Sequence, residues 1–99
     1  MYVIVVYDVE KERVRAKIRN LLRDYGGVRF QYSAFELEIS KPALNKLVSE
    51  LRRTLGCEKG RIMVIPLCPA DRARIVDKVT GRYRKTIEER DKAEKAVIG

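Results

Sequence analysis

The chain opens on an apolar run, Tyr2, Val3, Ile4, Val5, Val6 and Tyr7, closed by the carboxylate of Asp8. Alternate residues of a strand point to opposite faces, so the run predicts a strand with Tyr2, Ile4, Val6 and Asp8 on one face and Val3, Val5 and Tyr7 on the other. Both faces are apolar, and both therefore expect cover. Val14, Ile18, Leu21 and Leu22 recur at helical spacing over residues 12–25, with Gly26-Gly27 as the stop. Val28, Phe30 and Tyr32 then alternate with Arg29, Gln31 and Ser33, and Phe35, Leu37 and Ile39 with Ala34, Glu36 and Glu38. That period of two predicts two successive strands, each with one core face. Ser40 is placed to cap a second helix with Pro42 in its first turn. Leu44, Leu47, Val48, Leu51 and Leu55 form its stripe, Gly56 ends it, and residues 61–67 read as a fourth strand.

The order β-α-β-β-α-β is the split βαβ, or ferredoxin-like, pattern: an α+β fold with both helices on one face of a four-stranded antiparallel sheet. Residues 1–67 make this core domain. Residues 68–99 form a C-terminal extension in which 75–79 has the composition of a short strand, open to exchange between protomers, and 86–97 that of a charged helix or tail. Because the first strand is apolar on both faces, a second protomer is expected to cover the bare face, making an isologous homodimer.

At 99 residues the chain is one domain, and any site is shallow or shared between chains. Lys and Arg number 22 against 14 Asp and Glu, a net charge of +8, which favours a polyanionic partner such as nucleic acid. No histidine is present, which removes Ser-His and Cys-His nucleophiles and any His acid/base pair. Hydrolysis would therefore use a metal and carboxylates. Cys57 and Cys68 form no CxxC motif and are expected as small core apolars rather than zinc ligands. The apolar segments fall short of the roughly 18–20 residues of a membrane span, so the expectation is a soluble, cytoplasmic protein.

Asp8 has two readings. One is a turn or helix-cap carboxylate ahead of the first helix. The other follows from the dimer: if protomers meet through the face of Ile4, Val6 and Asp8, two carboxylates approach and require a proton or a cation. Mg²⁺ (or Mn²⁺) suits one acid per chain, because it binds through one or two carboxylates and keeps several waters. Lys11, Arg15, Arg19 and Arg23 follow at i, i+4 spacing beside the apolar face of the first helix, with few acids to neutralise them. The stripe is either a solvated flank or a track for phosphates. Arg29 is expected to share a strand face with Gln31 and Ser33 and to hold a phosphate or a structural carboxylate. Tyr7 and Phe35 are more simply core aromatics than stacking platforms for bases.

The opening Tyr2-Val3-Ile4-Val5-Val6-Tyr7-Asp8-Val9, the Arg-rich helix start, and above all Arg29-Phe30-Gln31-Tyr32-Ser33-Ala34-Phe35-Glu36 resemble the second of the two core CRISPR adaptation proteins, the small partner of the adaptation integrase. The resemblance covers about residues 1–67. It implies a ferredoxin-like homodimer that bridges integrase dimers and holds duplex DNA for insertion as a new spacer. Some relatives are metal-dependent nucleases on single-stranded RNA or double-stranded DNA. The family's metal-binding aspartate falls on Asp8, the catalytic candidate. Its functional arginines fall on Arg15 and Arg29, its serine and phenylalanine on Ser33 and Phe35, and Lys17 stands where relatives carry a further Arg. Two alternatives stay open: a non-catalytic nucleic-acid scaffold with a structural Asp8, and a toxin-like endoribonuclease of similar fold.

Overall fold

The computed structural model describes residues 1–76. Seven elements follow one another: β1 (Tyr2–Val9), α1 (Glu12–Asp24), β2 (Val28–Gln31), β3 (Ala34–Glu38), α2 (Lys41–Leu55), β4 (Gly60–Leu67) and a short α3 (Pro69–Ala73). The strands form one sheet in the order β2-β3-β1-β4, with β1 antiparallel to both β3 and β4. This is the ferredoxin-like α+β arrangement expected from the periodicity, and its last strand ends at Leu67.

Side-chain alternation along β1 divides the molecule. Val3, Val5, Tyr7 and Val9 are buried in one core with Val14, Ile18 and Leu22 of α1 and Leu44, Leu47 and Leu51 of α2. Phe35 and Leu37 join it from β3. Tyr7 and Phe35 pack ring to ring at 6.3 Å between centroids, so both are core aromatics. The other face carries Ile4 and Ile65 half-buried, with Val6 37% and Met63 41% exposed. Apolar groups of this size at a sheet centre are ordinarily covered.

The helix ends follow local chemistry. The Ser40 Oγ accepts from the Ala43 amide at 3.3 Å, which caps α2, and Pro42 sits in its first turn, where no N–H is needed. Gly26 takes φ +83° after α1, the left-handed conformation that only glycine adopts without strain. At α1 the cap position is Lys11, whose side chain makes no capping bond. The entry into α1 is held instead by Arg15, which donates to the Val9 and Glu10 carbonyls.

Several sequence expectations are corrected. Arg29 pairs with Phe35 and Gln31 with Ala34, two consecutive β3 residues, so an irregularity intervenes and Arg29 and Gln31 face opposite sides; Ser33 lies in the turn. A bulge of this kind breaks the period of two on which the shared face rested. Cys57 and Cys68 are exposed rather than core. Cys57 sits in the turn beyond α2, and Cys68 caps α3, its Sγ accepting from the Asp71 amide at 3.4 Å and its thiol donating to Asp71 Oδ2 at 3.2 Å. α3 itself had no signal in the apolar pattern, because none of its residues is buried. Finally, of the strand expected over 75–79 only Ile75 and Val76 are described, both exposed and outside any strand. The helix expected over 86–97 lies outside the described residues.

α3 crosses to the open side of the sheet. The Arg72 guanidinium stacks on the Tyr2 ring at 4.3 Å and pairs with Glu38, while the Tyr2 hydroxyl donates to Glu36 at 2.6 Å. Glu36 is 3% exposed. Burial, then the bond to Glu36, pushes the Tyr2 phenol well above its ordinary range. A groove of about 610 Å³ lined by Met1, Tyr2, Pro66, Leu67 and Arg72 lies at this end of the sheet.

Candidate nucleic-acid and metal site

Asp8 stands near the opposite end of β1, roughly 20 Å from Tyr2 at about 3.3 Å per residue. It is exposed, it belongs to the face of Ile4 and Val6, and its partner across the β1–β4 ladder is Arg61. It lies inside the strand, two residues before the turn, and the α1 cap position belongs to Lys11, so the helix-cap reading of Asp8 does not hold. Its carboxylate makes no hydrogen bond or ion pair with any described residue. The ladder keeps β4 close at this point. A Cβ on Gly60 would come within 2.8 Å of Val9 Cγ2 and 3.0 Å of the Asp8 carbonyl oxygen, so only glycine fits opposite Val9.

The basic residues named from the sequence are held by the protein itself. Arg15 donates from Nη1 to the carbonyls of Val9 at 2.6 Å and Glu10 at 2.7 Å, and from Nε to Glu12 at 2.9 Å. It therefore fastens the end of β1 to the first turn of α1, taking the part of a cap. Arg19 reaches the other oxygen of Glu12. Hydrogen bonds from Arg19 and Arg15 hold the Glu12 carboxyl below its usual range, and the bond to Glu12 raises Arg19 in turn. Lys11 pairs with Glu58 at 3.0 Å. Arg23 lies over the Phe35 ring at 6.0 Å, and Arg29 donates to the Tyr32 carbonyl at 2.7 Å and stacks on the Tyr32 ring at 5.0 Å. Glu12 thus neutralises the middle of a stripe that reads from sequence as poor in acids. The spacing did not show it, because Glu12 meets Arg15 at i, i+3 but Arg19 only through the long reach of both side chains.

Lys17 is exposed on α1. Ser33 supplies its backbone carbonyl to the Tyr7 amide at 3.0 Å, and the Tyr7 hydroxyl points to the Tyr32 carbonyl at 3.4 Å. The β2–β3 turn is thereby tied to β1 immediately before Asp8. Phe35 is fully buried and supports this region from within. Tyr7, Ser33 and Phe35 are brought together around the end of β1, whereas Lys17 makes no polar contact with the described residues there; Asp8 alone of the set opens onto the bare face.

A metal at this point would have one carboxylate from one chain. Among the described residues no group of three or more His, Cys, Asp or Glu side chains converges. An exposed carboxylate without a protein partner fits a hard divalent cation that keeps most of its waters, and does not fit a closed protein cage.

The chain is matched over residues 1–75 by the family described as CRISPR associated protein Cas2, and it belongs to that family. It is 32% identical over 71 residues to the CRISPR-associated endoribonuclease Cas2 of Desulforudis audaxviator, an alignment covering 72% of this chain and 67% of that protein. With the CRISPR-associated endoribonuclease Cas2 1 of Methanospirillum hungatei it shares 32% over 89 residues, 88% of this chain and 94% of the relative. Among solved structures, a chain of a partial Cas6-RT-Cas1–Cas2 complex superimposes with a TM-score of 0.66 at 25% identity, covering 77% of this chain and 82% of that one. The family expected from the Tyr-Asp strand end and the Arg-x-Gln-Tyr-Ser-x-Phe-Glu strand is the family found. No helix among the described residues is long and apolar enough to cross a membrane.

Proposed function

We propose that this protein acts in CRISPR adaptation as a homodimer that binds nucleic acid alongside the Cas1 integrase, and that Asp8 gives it a Mg²⁺- or Mn²⁺-dependent phosphodiesterase activity. The observation that carries the proposal is the position of Asp8: a carboxylate without a partner among the described residues, on the apolar sheet face, in a family whose members are named endoribonucleases. The open face supports the dimer. Val6 is 37% and Met63 41% exposed and Ile4 and Ile65 are half-buried, so each still gains less than half of the roughly 1.5–3 kcal/mol of complete burial, a gain made on both protomers that favours association. Duplex DNA and single-stranded RNA are the substrate classes, since a net charge of +8 offers sequence-independent attraction to either backbone. The integrase partnership rests on the family and on the likeness to a chain of a complex that includes Cas1.

Within the site, Asp8 would hold the cation and Arg15 would keep the strand end that carries Asp8 in register with α1. When bound, the cation supplies a more acidic water and neutralises charge developing on a phosphate oxygen. The rest is positioning by the chain's own residues: Gly60 admits the close approach of β4, and Tyr7 and Ser33 tie the neighbouring turn. The sparse ligand set favours one other reading, a scaffold that bridges integrase and DNA with no hydrolysis of its own. Purified protein should cleave labelled single-stranded RNA or duplex DNA with Mg²⁺ and stop with chelator, and Asp8→Asn should fold but not cleave. Cleavage by Asp8→Asn at the wild-type rate overturns the hydrolytic reading. In spacer insertion with the cognate integrase, Asp8→Asn should retain activity that Ile4→Asp loses; the reverse ranking refutes the adaptation role through the dimer face.

A further inference from the structure

We infer that Arg61 is the residue that grips the substrate phosphate beside Asp8. The inference rests on the reading of Asp8 as a metal-holding carboxylate. Three observations carry it. Arg61 is the ladder partner of Asp8 across β1–β4, and directly opposite residues of an antiparallel pair hold their Cβ atoms about 4.5–5.5 Å apart on the same face. Arg61 is exposed, and its guanidinium makes no hydrogen bond, ion pair or ring contact with any described residue. Of the arginines that the sequence nominates for phosphate, three are engaged within the protein, Arg15 on the Val9 and Glu10 carbonyls, Arg19 on Glu12 and Arg29 on the Tyr32 carbonyl, and Arg23 lies over the Phe35 ring at 6.0 Å.

A carboxylate and a guanidinium placed opposite one another on a sheet ordinarily close into a pair. Here they do not, although the register allows it. The arrangement leaves an anionic and a cationic group side by side, both open to the same solvent. That geometry suits a phosphodiester whose non-bridging oxygens accept from the guanidinium of Arg61, while a cation held by Asp8 would neutralise charge on the same phosphate. Arg61 would position the ground-state phosphate and stabilise the charge that accumulates on it during attack. Its ligand is a phosphodiester backbone, without preference for base.

The test uses the full chain and two substitutions, Arg61→Ala and Arg61→Lys. Binding of a fluorescent duplex DNA and of a single-stranded RNA is measured by anisotropy across a salt series in chelator, so that no metal contributes. Arg61→Ala should flatten the log-log salt dependence by about 0.9 for each duplex phosphate that Arg61 neutralises, or about 0.7 on a single strand, and Arg61→Lys should restore the slope. In Mg²⁺, Arg61→Ala should lower kcat/KM about 10²-fold, the range seen when one donor to a developing oxyanion is removed, with Arg61→Lys between. A wild-type salt slope in Arg61→Ala overturns the inference, as does a fall from the wild-type sedimentation coefficient, which would make the residue part of the dimer interface. If the wild type itself cleaves neither substrate, the nuclease reading fails, and the slope in chelator still decides whether Arg61 touches phosphate. If the wild type cleaves and Arg61→Ala matches it, the inference fails and the Asp8 reading stands.

Discussion

Arg15 separates two roles that look alike from sequence, phosphate ligand and internal clamp, and Arg15→Lys tells them apart. A lysine keeps the charge that phosphate binding needs, but its Nζ ends one bond short of the Nη1 that donates to the Val9 and Glu10 carbonyls at 2.6 and 2.7 Å. A hydrogen bond from a charged donor contributes about 1.5–3 kcal/mol, and the bond to Val9 is the better shielded of the two. The ion pair with Glu12 adds little, because that carboxylate is open to solvent and screened. Losing the Nη1 donor therefore destabilises the fold by about 2 kcal/mol. For a domain of this size that is a fall in Tm of about 8–16 °C, read by thermal denaturation at fixed protein concentration, since a dimer's Tm depends on it. Nucleic-acid binding of the folded variant at low temperature should stay close to wild type. A Tm unchanged within about 3 °C, together with weakened binding, would refute the clamp and return Arg15 to the phosphate track.

Two further outcomes follow from the open face. The isolated protein should sediment as a dimer at micromolar concentration, and Ile4→Asp should sediment as a folded monomer; a wild-type monomer would show that the face of Ile4 and Val6 needs no second copy. At the other end of the same face, Tyr2 has a folded-state pKa raised above its unfolded value of about 10. Its stabilising effect is therefore complete below about pH 10 and is lost as pH rises beyond it, because the unfolded phenol ionises first. The stability advantage of wild type over Tyr2→Phe should shrink above about pH 10 in urea titrations, and an advantage that stays constant there would mean that the Tyr2–Glu36 bond does not hold in solution.

Much of this protein is local, and that part could be read from the order of its residues. The period of the apolar positions fixes which way each side chain of β1 points, so Asp8, Val6 and Ile4 share one face whatever the strand pairs with. The caps of α2 at Ser40 and Gly56 and the stop of α1 at Gly26 are likewise written in residues next to the ends they make. The Tyr-Asp strand end and the Arg29-to-Glu36 segment were enough to identify the family. Other features needed the folded molecule, because they depend on pairing between distant segments. The register that sets Arg61 against Asp8 is a property of two strands some fifty residues apart in sequence, and no periodicity in either one contains it. The bulge that turns Arg29 away from Gln31 arises from the same two-strand matching. Charge behaves in the same way: a basic stripe predicts a field, but whether each guanidinium meets a phosphate or a carbonyl depends on which loop folds back to it, as Val9 and Glu10 do to Arg15. Cys68 and α3 show the limit most plainly, since a short helix with no buried residue leaves no apolar signal, and its place over Tyr2 is set by one stacked arginine and its ion pair with Glu38.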